Sequence, residues 1–178
     1  MDATVITIFG SSQPADGSAA YATALELGKA VADAGWTVCN GGYGGTMEAA
    51  TRGAADAGGH TIGVTCSAFR RSKPNAYIRQ EVPTFDLLQR LNTLVRMGRA
   101  YVVLPGGTGT GLELMLVWEL LNKGLLKRRG PLILLGQHWS ALVECVQREQ
   151  PDCRVPEIAG DPEDVVRILR AHFSGDAD

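Results

Sequence analysis

Two rhythms of apolar residues alternate along this 178-residue chain. Short runs such as TVITIF (residues 4–9) and AYVVL (100–104) carry apolar or β-branched side chains at nearly every position, as strands covered on both faces do. Longer segments between them space their apolar residues by three and four, the period of a helix with one buried face. The pattern predicts strands at 4–9, 36–40, 61–66, 100–104 and 131–136. It predicts helices over 21–34, 47–57, 85–99, 112–121, 139–150 and 161–173. Gly35 stops the first helix, Thr46 is placed to cap the second, and Asp161 followed by Pro162 opens the last. Within 85–99, Leu88, Leu91 and Val95 are expected to face the core. Residues 67–83 break the pattern. Their polar, cationic stretch FRRSKPNAYIR (69–79) reads as an exposed excursion, a solvated loop or a flap over an anion.

Strands alternating with helices imply βαβ units, and so an α/β fold with a mostly parallel sheet covered on both faces. Residues 1–178 contain no linker, repeat or low-complexity tract and are read as one domain, with 174–178 a frayed tail.

Composition narrows the partners. A formal net charge of −2 gives no electrostatic case for nucleic acid or an anionic membrane. No apolar run is long enough for a membrane span. Cys39, Cys66, Cys145 and Cys153 form no Cys-x-x-Cys pair and are expected as reduced, buried or partly buried thiols, which suits the cytoplasm. His60, His138 and His172 are isolated, so no metal site is expected, and no cofactor.

The chemistry concentrates in three glycine turns at strand ends: GSSQPADGS after the first strand, GGYGG after the second and PGGTGTG after the fourth. In an open parallel sheet, ligands bind beyond the carboxyl ends of the strands. Glycine lets backbone approach a ligand, and a helix starting just after it aims free N–H groups at an anion. Three such turns on one edge predict a phosphate-bearing ligand. A dinucleotide fingerprint is absent, because the first turn reads Gly10-Ser11-Ser12 and the second strand ends at Asn40. No Gly-Lys-Ser/Thr triplet offers a nucleoside-triphosphate loop. Ser11 and Ser12 lack a nucleophile elbow and are better suited to hydrogen-bonding phosphate or sugar. Thr110 and Glu113 have capping-box spacing, so Glu113 either caps its helix or sits beside the ligand.

PGGTGTGLE (105–113) resembles the P-G-G-x-G-T-x-x-E signature of the Lonely Guy (LOG) family. GGYGGTMEAATRGA (41–54) is similar to the second glycine motif of that family, with Tyr43 replacing a glycine, and FGSS (9–12) matches its first strand end. The resemblance implies a Rossmann-like, doubly wound fold. It also implies hydrolysis of the N-glycosidic bond of nucleoside 5′-monophosphates, AMP or cytokinin-type, to free base and ribose 5-phosphate, by a homodimer with sites near the interface. Carried onto this chain, it makes Arg90 and Glu113 catalytic. Nucleotide binding then falls to Gly10, Ser11, Ser12, Gly41, Gly42, Gly45, Met47, Glu48, Gly106, Gly107, Thr108, Gly109 and Thr110. The base is expected near Met47 and Met97. The family's lysine position is Leu91, which removes a cation from an anion site, with Asn92 a substitute donor. The alternative is a non-hydrolytic carrier or sensor of a phosphorylated purine- or pterin-like ligand such as molybdenum cofactor.

Overall fold

The computed structural model describes residues 4–69, 73–126 and 130–175. Thirteen elements follow one another among these residues: β1 (Val5–Phe9), α1 (Ala19–Asp33), β2 (Thr37–Asn40), α2 (Thr46–Asp56), β3 (Thr61–Cys66), β4 (Gln80–Thr84), α3 (Leu87–Met97), β5 (Ala100–Val103), α4 (Thr108–Asn122), β6 (Leu132–Leu135), α5 (Ser140–Glu149), β7 (Glu157–Ala159) and α6 (Pro162–Gly175). The strands form one sheet in the order β4-β3-β2-β1-β5-β6-β7, and every pairing is parallel. The order reverses at β1, whose two neighbours are β2 and β5. The turns leaving β1 and β5 therefore diverge and open a crevice at the carboxyl edge.

Each face of the sheet has its own core. Ile6, Ile8, Val38, Ala100, Val102 and Ile133 pack against residues of α1, α2 and α6. Phe9, Cys39, Val64, Tyr101, Val103 and Leu134 pack against α3, α4 and α5. Alternation along β5 sends Ala100 and Val102 one way, Tyr101 and Val103 the other, so the continuous apolar run serves both layers. Helices α1 and α2 lie unusually close, because Gly28 faces the Ala50 backbone and Gly53 faces that of Leu25 with no side chain between.

Several expectations change. Residues 67–83 run into β4, an edge strand paired with β3 from Ile62↔Gln80 to Cys66↔Thr84. Its exposed Gln80 and Glu81 and its Pro83 hid it, since an edge strand tolerates both polarity and proline. Phe69, Asn75, Tyr77 and Ile78 in the supposed excursion are half-buried, Lys73 and Arg79 are exposed, and Arg70 and Arg71 lie outside the described residues. β7 was also hidden, being three residues long. Leu88 is 71% exposed; Arg90, Leu91, Leu94 and Val95 are the buried positions of α3. Asp161 does open α6, accepting from the Asp164 N–H at 2.8 Å. α6 runs through Ser174 and Gly175, and the remainder of the expected tail lies outside the described residues. The four cysteines are free thiols, but Cys145 is exposed rather than buried. Among the described residues, no helix is long and apolar enough to cross a membrane, and no group of three or more potential ligands could hold a metal.

Candidate functional site

A cleft of about 600 Å³ opens at the reversal point, between the turn after β1, the start of α3 and the start of α4. Its lining includes Gly10, Ser11, Ser12, Met47, Arg90, Gly107, Thr108, Gly109, Thr110 and Glu113, ten of the expected site residues. Gln13, Tyr43, Phe69, Leu87, Leu91 and Leu112 complete it.

The turn after β5 forms one wall. Gly107 is the N-cap of α4 and supplies no side chain to satisfy the first-turn N–H groups, which no preceding turn can receive. Space beside Gly107 and Gly109 is open: a Cβ at either would meet nothing within 4 Å. Thr110 lies inside the helix rather than capping it, and a Cβ at Gly106 would strike its hydroxyl. Two side chains from the segment after β6 brace this turn from behind. Trp139 Nε1 donates to the Leu104 carbonyl at 3.1 Å, and His138 Nε2 lies 3.1 Å from the Gly106 carbonyl. Neither role was legible in the sequence: His138 reads there only as an isolated histidine, and both lie more than thirty residues along the chain from their partners.

The turn after β2 plays a different part from the one expected. The Ser11 carbonyl accepts from both the Thr46 N–H (2.9 Å) and the Thr46 hydroxyl (3.1 Å), so the first amide of α2 is already occupied. Gly45, the true N-cap of α2 at φ 69°, packs directly on the Ser11–Ser12 backbone, where a Cβ would collide. Gly42 faces Gly63, and Gly41 leaves room for the Arg90 guanidinium. None of Gly41, Gly42, Gly45 and Gly106 lines the cleft. Glu48 does not line it either; its Oε1 accepts from the Tyr21 hydroxyl at 3.3 Å. Asn40 staples this turn, donating through Nδ2 to the Met47 carbonyl (2.9 Å) and accepting from Gly42 N–H (2.8 Å). A buried Asn ending an apolar strand before Gly-Gly was the sequence signal for it. Met97, at the far end of α3, and exposed Asn92 are also outside the cleft.

Arg90 and Glu113 meet at the floor. Their residues are 6% and 8% exposed, with Nη1 donating to Oε1 at 3.3 Å. Arg90 Nε also donates to the Val64 carbonyl at 3.0 Å. Burial pushes the Glu113 carboxyl up to about 7, against the opposing pull of the guanidinium. Glu113 thus faces Arg90 and the cleft, not the end of its own helix. Leu91, 4% exposed, adds an apolar wall to the cleft, as its residue type led one to expect.

A profile of the SLOG cluster4 family matches residues 3–154. The chain belongs to that family. Among curated proteins, it is similar to the pyrimidine/purine nucleotide 5′-monophosphate nucleosidase of Escherichia coli K12, 34% identical over 115 residues. That match covers 58% of this chain but only 25% of the nucleosidase, so the chain spans about a quarter of that relative's length. It is also 28% identical over 136 residues to the cytokinin riboside 5′-monophosphate phosphoribohydrolase of Rhodococcoides fascians, covering 75% of this chain and 68% of that protein. Among solved structures, the molybdenum cofactor binding protein of Rippkaea orientalis superposes with a TM-score of 0.79, at 24% identity, over 97% of this chain and 99% of the other. That likeness establishes the Rossmann-like architecture of this SLOG cluster4 member.

Proposed function

We propose that the cleft hydrolyses the N-glycosidic bond of a nucleoside 5′-monophosphate, AMP or a cytokinin-type nucleotide. The observation that carries this reading is the buried Arg90–Glu113 pair on the floor of a cleft walled by the open N-terminus of α4. The phosphate would rest on the first-turn amides at Gly107–Thr110, with the Ser11, Ser12 and Thr108 hydroxyls as further donors. The ribose would then lie over Glu113 and the base toward Met47, Leu87 and Leu91. As the C1′–N bond stretches, positive charge grows on the sugar, and an adjacent carboxylate stabilises it while orienting water. Water's hydroxyl then bonds to C1′ and its proton ends on the departing base. Arg90 holds the carboxylate and counters its tendency to protonate. The names of the enzyme relatives agree with this chemistry.

The test is chromatography of AMP and isopentenyladenosine monophosphate after incubation with the protein, wild type beside Glu113→Ala. Free base from the wild type alone supports the hydrolase; no base from either removes it.

A second reading, a carrier of a phosphorylated purine- or pterin-like ligand, is favoured by Leu91, which leaves Arg90 as the sole cationic side chain among the described residues of the cleft. It predicts retention of such a ligand without turnover. We further propose a homodimer. Phe85 just before α3, Leu87 and Leu88 in its first turn, and Leu112 and Met115 one turn apart on α4 are exposed apolar residues, and Leu87 and Leu112 among them line the cleft.

A further inference from the structure

Arg90 is confined on more sides than an ion pair requires. Its Cζ lies 5.6 Å from the ring centroid of Tyr43 and 5.6 Å from that of Phe69, and those centroids are 6.0 Å apart. The three distances describe a corner: two aromatic walls meet around the guanidinium while Val64 and Glu113 take its N–H groups. The Tyr43 wall is anchored. Its hydroxyl accepts from the Cys66 N–H at 2.8 Å and donates to the Cys66 carbonyl at 3.3 Å. Asn75 Nδ2 holds the Tyr43 carbonyl at 3.0 Å. The ring is therefore tied to the end of β3, the strand whose Val64 carbonyl receives Arg90. With its hydroxyl committed to backbone, Tyr43 is poorly placed to recognise a ligand through that group.

We propose that Tyr43 is a positioning residue for the Arg90–Glu113 pair, its tethered ring holding the guanidinium against the carboxylate. A cation held near an aromatic face is stabilised most where water is excluded, as it is here. Without the ring, Arg90 swings away from Glu113, and the carboxyl protonates more readily. Among the described residues lining the cleft, the titratable groups are Arg90, Glu113 and Tyr43. The Cys39 thiol on β2, near Arg90, is pushed up to about 12 by burial and stays neutral.

The kinetic part of the test rests on the hydrolase reading; the titration does not. Full-length wild type, Tyr43→Ala and Tyr43→Phe, labelled with ¹³C at glutamate carboxyls, are titrated by NMR. The Glu113 signal is assigned by its loss in Glu113→Gln. In Tyr43→Ala the midpoint rises by about 0.5 pH unit or more, the size of a partly buried cation–π contact. In Tyr43→Phe, which keeps the ring but loses the tether, it rises less. The acid limb of base release moves up by the same amount, with KM for AMP changed less than about twofold. Melting curves identify a variant that fails to fold; if Tyr43→Ala does, Tyr43→Phe decides alone. An unchanged Glu113 midpoint in the folded variants overturns the proposal. Absence of base release from wild type would sink the hydrolase reading, leaving the titration to decide this one.

Discussion

Glu113 is the residue on which chemistry and stability meet. Its carboxyl ionises near 4.5 in water and is pushed up to about 7 in the fold, chiefly by burial. The native state therefore binds its proton more tightly than the unfolded chain does. The contribution to stability is complete below the unfolded value and is lost as pH rises through about 7. At ~1.4 kcal/mol per pKa unit, wild type should lose up to about 3 kcal/mol relative to Glu113→Gln between pH 4.5 and 7. Urea denaturation of both proteins across that range measures the difference, and parallel curves would refute it. The same ionisation governs turnover: if the carboxylate form stabilises the sugar cation, base release climbs with pH and levels above about 7. A rate falling over that interval would instead make Glu113 an acid.

Glycine does opposite work in two elements of the fold. In the turn after β5, Gly109 faces open space, so Gly109→Ala should fold with stability changed by no more than about 1 kcal/mol. The added methyl enters the cleft, and AMP affinity by calorimetry should fall at least tenfold, about 1.4 kcal/mol. Unchanged affinity would mean that this turn holds no phosphate. In the helix pair α1–α2, Gly28 lies against the Ala50 backbone, with the Ala50 Cα only 2.8 Å from where a Cβ would be. Backbone cannot step aside as a flexible side chain does, so Gly28→Ala should destabilise by about 1–3 kcal/mol. A denaturation midpoint equal to wild type would contradict that packing. Helices and buried strands were legible because burial leaves a pattern in the sequence, a three-to-four spacing in the helices and an unbroken apolar run in the strands. β4 and β7 were not, since edge pairing is satisfied by backbone groups and leaves side chains free to be polar.

At the scale of the molecule, the cleft mouth is flanked by apolar residues that one chain leaves uncovered. Phe85 is 80% exposed and Leu88 71%, although the period of α3 placed Leu88 inward. Placing such side chains in water forfeits the burial energy that a second copy would recover, roughly 1.5–3 kcal/mol for each large side chain fully covered. Light scattering should therefore give twice the monomer mass for wild type and the monomer mass for a Phe85→Asp, Leu88→Asp double variant with an unchanged circular dichroism spectrum. A monomeric wild type would discard the dimer.

The sequence by itself determined the alternating α/β order, the parallel sheet and the edge at which the glycine turns gather. It also singled out Arg90 and Glu113, 23 residues apart, through local motifs that resemble a known family. Those are properties of periodicity and of short contiguous patterns. Tertiary structure decided what each glycine is for. Gly107 and Gly109 border open space, whereas Gly41 and Gly45 give way to Arg90 and to the Ser11–Ser12 backbone. It also decided that Tyr43 and Phe69 enclose Arg90, and that Trp139 and His138 brace the turn after β5. Each of these depends on which distant segment arrives beside a residue, and that arrival is a consequence of strand order, which no local pattern encodes.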